Sequence, residues 1–188
     1  CPGVRLETGS DLYKDNTDYW KNLVQFTKHL TLSRIIRSVT IMGRSEKDTL
    51  DLSKILYPPM QCVDIEEMDL DIVHAGMDQR KVHMLAREIF PKMGWKVPVS
   101  VHHHLLPGLG EPQATGSSYH AIANAKVLSK MSKSNPASGI LIHDDEKKIH
   151  DKIMKAYCPL GIVNGNPVLE LVRYIIFHQF SEFVVERS

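Results

Sequence analysis

The 188 residues contain few of the features that would assign a protein class at once. The three cysteines, Cys1, Cys62 and Cys158, are an odd number at wide spacing, which fits neither a disulfide framework nor a paired cysteine metal site. No apolar run approaches the length that crosses a bilayer, and the start lacks the pattern of a secretory signal. We therefore expect a reducing, cytoplasmic setting and no membrane contact.

A large excess of positive or negative charge is also lacking. The formal net charge is +1, so any contact with nucleic acid must come from a local basic patch rather than from an overall field. What is present is an ordinary globular composition, 43% hydrophobic and 24% charged, without internal repeats. A chain of this length buries one substantial core.

Apolar residues at three-and-four spacing predict one or two amphipathic helices over residues 17–43. A further helix is expected to begin at Tyr57, because Pro58 and Pro59 can occupy a first turn, where their missing N–H groups would have no partner anyway. It should end near Glu67.

The middle of the chain alternates strand and helix patterns. Leu70 to His74 predicts a strand, Asp78 stands in an N-cap position, and Val82 to Ile89 predicts a helix. Val97 to Val101 predicts a second strand, so the sheet should be parallel and the fold α/β. Farther on, Ile140 to Ile142 suggests a short strand, and helices should begin at Asp144 or Asp145 and at Asn166-Pro167.

The segment Lys130-Met131-Ser132-Lys133-Ser134 combines two cations, three residues apart, with hydroxyls beside them. Ammonium groups are strong point-charge donors to phosphate, and they can stabilise the charge that builds up on a departing pyrophosphate. The alternative for such a segment is a solvated polar loop.

Two further groups of residues are candidates for ligand contacts. Tyr57, Gln61 and Asp64 share one face of their helix at i, i+4 and i+7, where they could hold a phenol and an ammonium, although a polar stripe facing water has the same pattern. The turn from Gly76 to Arg80 follows a strand, where nucleotides bind in open parallel sheets. Asp78 could accept from ribose hydroxyls and Gln79 from an amino acid, although Asp78 could instead serve as a simple helix cap.

A metal site at His102-His103-His104 is not expected, because adjacent residues on a strand point to alternate faces and cannot all meet one ion.

Five segments in this order resemble the tyrosyl-tRNA synthetases, in particular their archaeal and eukaryotic branch. They are Tyr57-Pro58-Pro59-Met60-Gln61 with Asp64, Ala75-Gly76-Met77-Asp78-Gln79-Arg80-Lys81, Leu106-Pro107-Gly108-Leu109, Lys130-Met131-Ser132-Lys133-Ser134, and Lys155-Ala156-Tyr157-Cys158-Pro159. The resemblance extends from about Leu23 to Glu186. It implies a tyrosine–tRNA ligase with ATP, L-tyrosine and tRNA(Tyr) as substrates, magnesium as the counterion of ATP without a dedicated protein cage, and a homodimer.

The resemblance also implies residue roles. Tyrosine would be contacted by Tyr57, Gln61, Asp64 and Gln79, with Asp64 on the phenolic hydroxyl. ATP would be bound by Gly76 and Asp78 at the ribose, near the backbone of His102 at the adenine, and by Lys130, Met131, Ser132, Lys133 and Ser134 at the phosphates, with Lys130 and Lys133 as the catalytic cations. The helices between Trp20 and Ile36 would contribute to the dimer interface, and ordinary core packing is the alternative for their apolar residues.

Two departures from the family pattern qualify these expectations. The His-Ile-Gly-His-type motif is absent, so residues 1–157 are expected to be the later part of a Rossmann-like class I catalytic domain, residues 158–188 the start of a helical tRNA-binding domain, and this chain alone inactive. Residues Gly110 to Ser129 form an insertion of unknown role. The competing hypotheses are a non-catalytic relative, another nucleotidyl transferase, and tryptophan as the amino acid.

Overall fold

The computed structural model describes residues 3–39, 51–111, 131 and 135–185. The chain divides into two compact units, Cys1–His104 and Leu105–Ser188. The boundary predicted after residue 157, between a catalytic and a tRNA-binding domain, is a different division of the chain and stays a prediction. Within the described ranges, no helix is both long and apolar enough to cross a membrane.

The first unit opens with three helices: α1 (Gly9–Tyr13), α2 (Thr17–Thr27) and α3 (Leu32–Ser38). Asn16 caps α2, since its side-chain oxygen accepts a hydrogen bond from the backbone N–H of Tyr19 at 2.9 Å. The expectation of one or two amphipathic helices over residues 17–43 is confirmed as far as residue 39, beyond which the predicted range leaves the described residues.

Helix α4 (Leu52–Glu67) begins five residues earlier than predicted. Asp51 provides the cap, because its carboxylate accepts the backbone N–H of Lys54 at 3.0 Å. Pro58 and Pro59 therefore lie in the helix interior, where each removes a backbone hydrogen bond. Both prolines are fully buried, so their packing offsets part of that cost. The predicted end at Glu67 is confirmed.

The α/β organisation is confirmed. Strand β1 (Ile72–Gly76) and strand β2 (Val99–His103) pair in parallel, with Ile72 opposite Val99, and helix α5 (Arg80–Met93) connects them. Both strands lie two residues later than predicted. Helix α5 ends at Gly94, whose φ of +71° is the left-handed conformation that glycine adopts without strain.

A single hydrophobic core holds the first unit together. Its buried residues come from α2, α4, β1 and α5, and the partly buried Trp95 packs against two of their aromatic rings. The Phe90 ring lies 5.2 Å from Trp95 and 6.3 Å from Phe26, both in edge-to-face geometry. The core fixes α4 against α5 and β1, the elements that carry the candidate site.

Replacing Phe90 by Ala should destabilise the first unit by about 3–5 kcal/mol, because the side chain is fully buried. Urea unfolding followed by tryptophan fluorescence measures the loss, since both tryptophans, Trp20 and Trp95, belong to this unit. Phe180, which is exposed, provides the control: Phe180→Ala should shift the free energy of unfolding by about 0.5 kcal/mol or less. Equal losses in the two variants would contradict this account of the core.

The second unit contains α6 (Glu146–Met154), α7 (Pro167–Leu171) and α8 (Phe177–Gln179), the last two joined by a π turn over Val172–Ile176. The predicted caps are confirmed at Asp145, which accepts the N–H of Lys148, and at Asn166. The short strand expected at residues 140–142 is wrong: the backbone turns there, and Asp144 accepts the N–H of Leu141 at 2.8 Å.

Candidate functional site

Asp64 is the centre of a polar cluster inside the first unit. The hydroxyl of Tyr19 donates to its Oδ1 at 2.7 Å, and the hydroxyl of Tyr13 donates to its Oδ2 at 3.3 Å. Burial raises the pKa of the Asp64 carboxyl, and the two phenols oppose this by donating to the ionised form. Asp64 is therefore a partly buried carboxylate surrounded by hydroxyl donors, an environment suited to a phenol.

Gln61 joins α4 to the turn after β1. Its amide nitrogen donates to Gln79 Oε1 at 3.3 Å, and the amide nitrogen of Gln79 donates to Asp78 Oδ2 at 3.1 Å. Gln61 Oε1 is buried, and no hydrogen-bond donor reaches it from the described part of the chain. Such an acceptor is costly without a partner, so it marks a place for an ammonium or amide donor.

The turn of Met77–Gln79 is a short 3-10 segment between β1 and α5. The predicted capping role of Asp78 is wrong, because the cap position of α5 is Gln79, whose side chain makes no capping bond. The side chain of Asp78 instead accepts a hydrogen bond from the amide of Gln79, beside the end of the strand. Gly76 is buried at the last position of β1, with a φ of −64° that any residue could adopt.

Tyr57 lies on α4 with 51% of its surface exposed. Burial and then the charge of Asp64 raise the pKa of Tyr13, and the nearby phenol of Tyr57 adds a smaller contribution in the same direction. The face predicted for Tyr57, Gln61 and Asp64 thus exists, with its three members ranging from exposed to partly buried.

The histidines form two separate pairs rather than one cluster. His102 Nε2 lies 2.9 Å from His83 Nδ1, and His103 Nδ1 lies 3.1 Å from His74 Nε2. The alternation predicted for His102 and His103 is therefore confirmed. Residues 3–39, 51–111, 131 and 135–185 bring no three His, Cys, Asp or Glu side chains within range of one metal ion.

The His83–His102 pair should make folding stability depend on pH. His83 is 4% exposed, and burial, followed by the neighbouring His102, lowers its pKa. The unfolded chain then binds a proton that the folded chain does not, so stability should fall as pH drops below about 6.5, by at most about 1.4 kcal/mol per pH unit for this histidine. Urea unfolding at a series of pH values measures the slope.

His83→Gln should flatten that slope, whereas the same change at the exposed His29 serves as the control. An unaltered slope in His83→Gln would rule out the buried pair as its source.

Four of the five predicted phosphate-binding residues, Lys130, Ser132, Lys133 and Ser134, lie outside the described residues. Met131, between them, is described and partly buried. Its side chain packs directly on Gly139: a Cβ built at Gly139 would lie 2.8 Å from Met131 Cβ and 2.8 Å from its Cγ. Met131, the one described residue of this segment, is thus in close contact with Gly139.

Lys152 holds Gly139 in place. Its ammonium donates to the carbonyl of Gly139 at 2.9 Å and pairs with Asp144 at 2.5 Å, and both side chains of the pair are largely buried. The ion pair lowers the pKa of the Asp144 carboxyl. The chain that follows the predicted phosphate segment is therefore anchored to α6.

In the helices predicted to supply a dimer interface, some apolar residues are buried in the core and others are exposed. Leu23, Phe26 and Ile35 are buried, as core packing requires. Trp20 and Val24, one turn apart on α2, remain 45% and 60% exposed, beside Lys21 and Lys28. One stripe of α2 thus packs on the core and another is open.

Several residues of the candidate site were not singled out from the sequence. Tyr13 and Tyr19 precede Asp64 by 51 and 45 residues, and neither stands in a recognisable motif. Gly139 and Lys152 were also missed. The only signal was that Gly139 and Lys152 follow the phosphate segment closely.

The family model for class I tRNA synthetases (W and Y) matches residues 8–182. The chain is 44% identical over 181 residues to the tyrosine–tRNA ligase of Thermococcus sibiricus and 45% identical over 181 residues to that of Pyrococcus horikoshii, covering 90% of this chain in each case. A crystal structure of the Pyrococcus horikoshii tyrosyl-tRNA synthetase complexed with L-tyrosine superimposes with a TM-score of 0.75 at 43% identity, over 90% of this chain and 48% of that one. The chain spans about half the length of the curated relatives it matches (48% of each).

Proposed function

Because this chain belongs to the class I tRNA synthetases of the tryptophan and tyrosine family, we propose that it is part of a tyrosine–tRNA ligase. The complete protein would activate tyrosine with ATP and transfer it to tRNA(Tyr). The chain by itself, which lacks a His-Ile-Gly-His-type motif, would be inactive.

The observation that carries this proposal is the grouping of Asp64, Gln61 and Gln79 on α4 and the adjoining turn. A carboxylate among phenol hydroxyls can accept the hydroxyl of a tyrosine substrate, which phenylalanine lacks. The buried Gln61 Oε1 can accept from the substrate ammonium. An indole would offer Asp64 only an N–H donor of different position, so this grouping favours tyrosine over tryptophan.

Activation requires the tyrosine carboxylate to attack the α-phosphorus of ATP. The new bond joins a carboxylate oxygen to this phosphorus, the bond to the bridging oxygen breaks, and pyrophosphate leaves with the electron pair. No general base is needed, because the carboxylate is ionised at neutral pH. We assign Lys130 and Lys133 to the charge on the departing pyrophosphate, assisted by Met131, Ser132 and Ser134 of the same segment.

We assign the remaining ATP contacts to residues at the carboxyl ends of β1 and β2. Asp78 follows β1 at the carboxyl end of the strand, where nucleotides bind in open parallel sheets, so its carboxylate is suited to the ribose hydroxyls, with Gly76 allowing close approach. We assign the adenine to the backbone near His102 at the end of β2. Since no cluster of three metal-ligating side chains occurs among the described residues, no protein ligand is assigned to magnesium, which would come bound to the phosphates of ATP.

The complete protein would be a cytoplasmic homodimer. Cys62 and Cys158 are free thiols, as a reducing compartment allows. The exposed stripe of Trp20 and Val24 on α2 is an apolar surface of the kind that homodimers bury, and its lysine neighbours would form a polar rim. The segment from residue 158 onward would begin the tRNA-binding domain.

The test is ATP–pyrophosphate exchange by the complete protein with tyrosine, tryptophan or phenylalanine as the amino acid. Exchange that depends on tyrosine alone is expected. Dependence on tryptophan would replace the proposed substrate. Tyrosine binding by calorimetry without any exchange would instead indicate a non-catalytic relative.

A further inference from the structure

The contact between Tyr19 and Asp64 joins two residues that pack from different helices, α2 and α4. The Tyr19 side chain is fully buried, and its hydroxyl lies 2.7 Å from Asp64 Oδ1 and 3.4 Å from the carbonyl of Met60. We propose that Tyr19 is a positioning residue for amino-acid recognition: by holding Oδ1 of Asp64, it directs Oδ2 toward the phenolic hydroxyl of the substrate. This role rests on the proposed function.

Tyr19 is itself fixed at both ends. Its backbone N–H is held by the cap residue Asn16, whose amide nitrogen also donates to Glu67 at the end of α4, at 2.6 Å. Its ring lies 4.8 Å from the ring of Tyr13 and 5.4 Å from that of Trp20. The hydroxyl therefore has a single position relative to α4, as a residue that orients another side chain requires.

A carboxylate without such a contact turns easily, because the last torsion of Asp is broad. The hydrogen bond from Tyr19 restricts this torsion and leaves the other oxygen to accept from a ligand. Among the described residues, the groups that act on the charge of Asp64 are two phenols, Tyr13 on α1 and Tyr19 on α2, which both donate to the carboxylate. No cation from the described part of the chain joins them, so the two phenol donors are the groups that favour the ionised form of Asp64 against its burial.

Tyr13 makes the weaker contact, at 3.3 Å, and it does so at Oδ2. This is the oxygen left for the substrate, so the Tyr13 hydroxyl would give way to the substrate hydroxyl while Tyr19 stays bound. Replacing either tyrosine by phenylalanine removes one hydroxyl. Only the loss at Tyr19 should weaken recognition of the substrate tyrosine.

The experiment compares Tyr19→Phe with Tyr13→Phe in the complete protein by ATP–pyrophosphate exchange. Tyr19→Phe should lower kcat/KM for tyrosine by about tenfold to a hundredfold, mainly through KM, because a hydrogen bond to a charged group is lost. The kcat/KM for phenylalanine and the KM for ATP should not change. Tyr13→Phe should alter kcat/KM for tyrosine by less than about threefold.

Two further readouts separate positioning from general stability. The acidic limb of kcat/KM for tyrosine should move to higher pH in Tyr19→Phe, since Asp64 loses a donor that favours its ionised form. In an Asp64→Asn background, Tyr19→Phe should have no further effect on the preference for tyrosine over phenylalanine.

An unchanged preference in Tyr19→Phe, or additive losses with Asp64→Asn, would overturn the role of Tyr19 alone. Absence of tyrosine-dependent exchange in the unsubstituted complete protein would instead overturn the proposed function, and with it the role of Tyr19.

Discussion

Lys133→Ala in the complete protein should lower kcat of tyrosine-dependent pyrophosphate exchange by about 100- to 1000-fold, while tyrosine binding stays unchanged. The reason is that a preorganised donor aimed at charge which develops only in the transition state contributes to kcat and not to binding of the ground state. Tyrosine would contact Gln61, Asp64 and Gln79, whereas Lys133 follows much later in the sequence. Exchange kinetics and calorimetry with tyrosine measure the two effects separately.

The control for this change is Lys147→Ala, which removes an exposed lysine from α6 of the same unit. Its kcat should remain within about twofold of the original, since it lies outside the segment of Lys130 to Ser134. A loss below tenfold in Lys133→Ala, or a parallel loss of tyrosine affinity, would remove Lys133 from the proposed role.

Gly139→Ala should lower kcat of the same exchange by about 100-fold, although Gly139 belongs to no catalytic motif. A methyl group there would lie 2.8 Å from Cβ of Met131, which is not the mobile end of a side chain, so the backbone of Met131 must shift. Met131 is bonded to Lys130 and lies two residues before Lys133. A displacement of about 1 Å at a catalytic group can cost about 100-fold in rate.

Two further variants make this prediction specific. Gly110 has no neighbouring atom within 4 Å of an added Cβ, so Gly110→Ala is the matched control and should leave kcat unchanged. Met131→Gly removes the colliding atoms, so combining it with Gly139→Ala should give a smaller loss than the two single losses added together. Equal kcat values for Gly139→Ala and Gly110→Ala would contradict the role of Gly139 in positioning Met131.

The sequence predicted the parallel strands and their connecting helix because each has a strong local signal. Short apolar, β-branched runs indicate β1 and β2, helical spacing of apolar residues indicates α5, and the two strands were displaced by two residues. The prediction of where α4 begins failed for a physical reason. Two prolines favour a first turn locally, but burial of Pro58 and Pro59 in the core and a cap at Asp51 outweigh that preference.

The candidate site was predicted where its residues share one helix face or one turn. Tyr57, Gln61 and Asp64 share a face because helical spacing requires it. The link from Gln61 to Gln79 and the contact from Tyr19 to Asp64 depend on how α2, α4 and β1 pack, and a single sequence carries no signal for such pairings. The contact between His83 and His102 could not be predicted for the same reason.

The bond between Tyr19 and Asp64 also sets an order of events during folding. The two residues are separated by 45 positions, so their contact must wait until the intervening chain has closed into a loop, whereas helices such as α2 and α4 form locally within about a microsecond. A chain with most of its helical content already present would still lack the oriented Asp64 carboxylate. Under the proposed function, affinity for tyrosine would thus be acquired only when α2 docks on α4, and the amino-acid site would form late in folding.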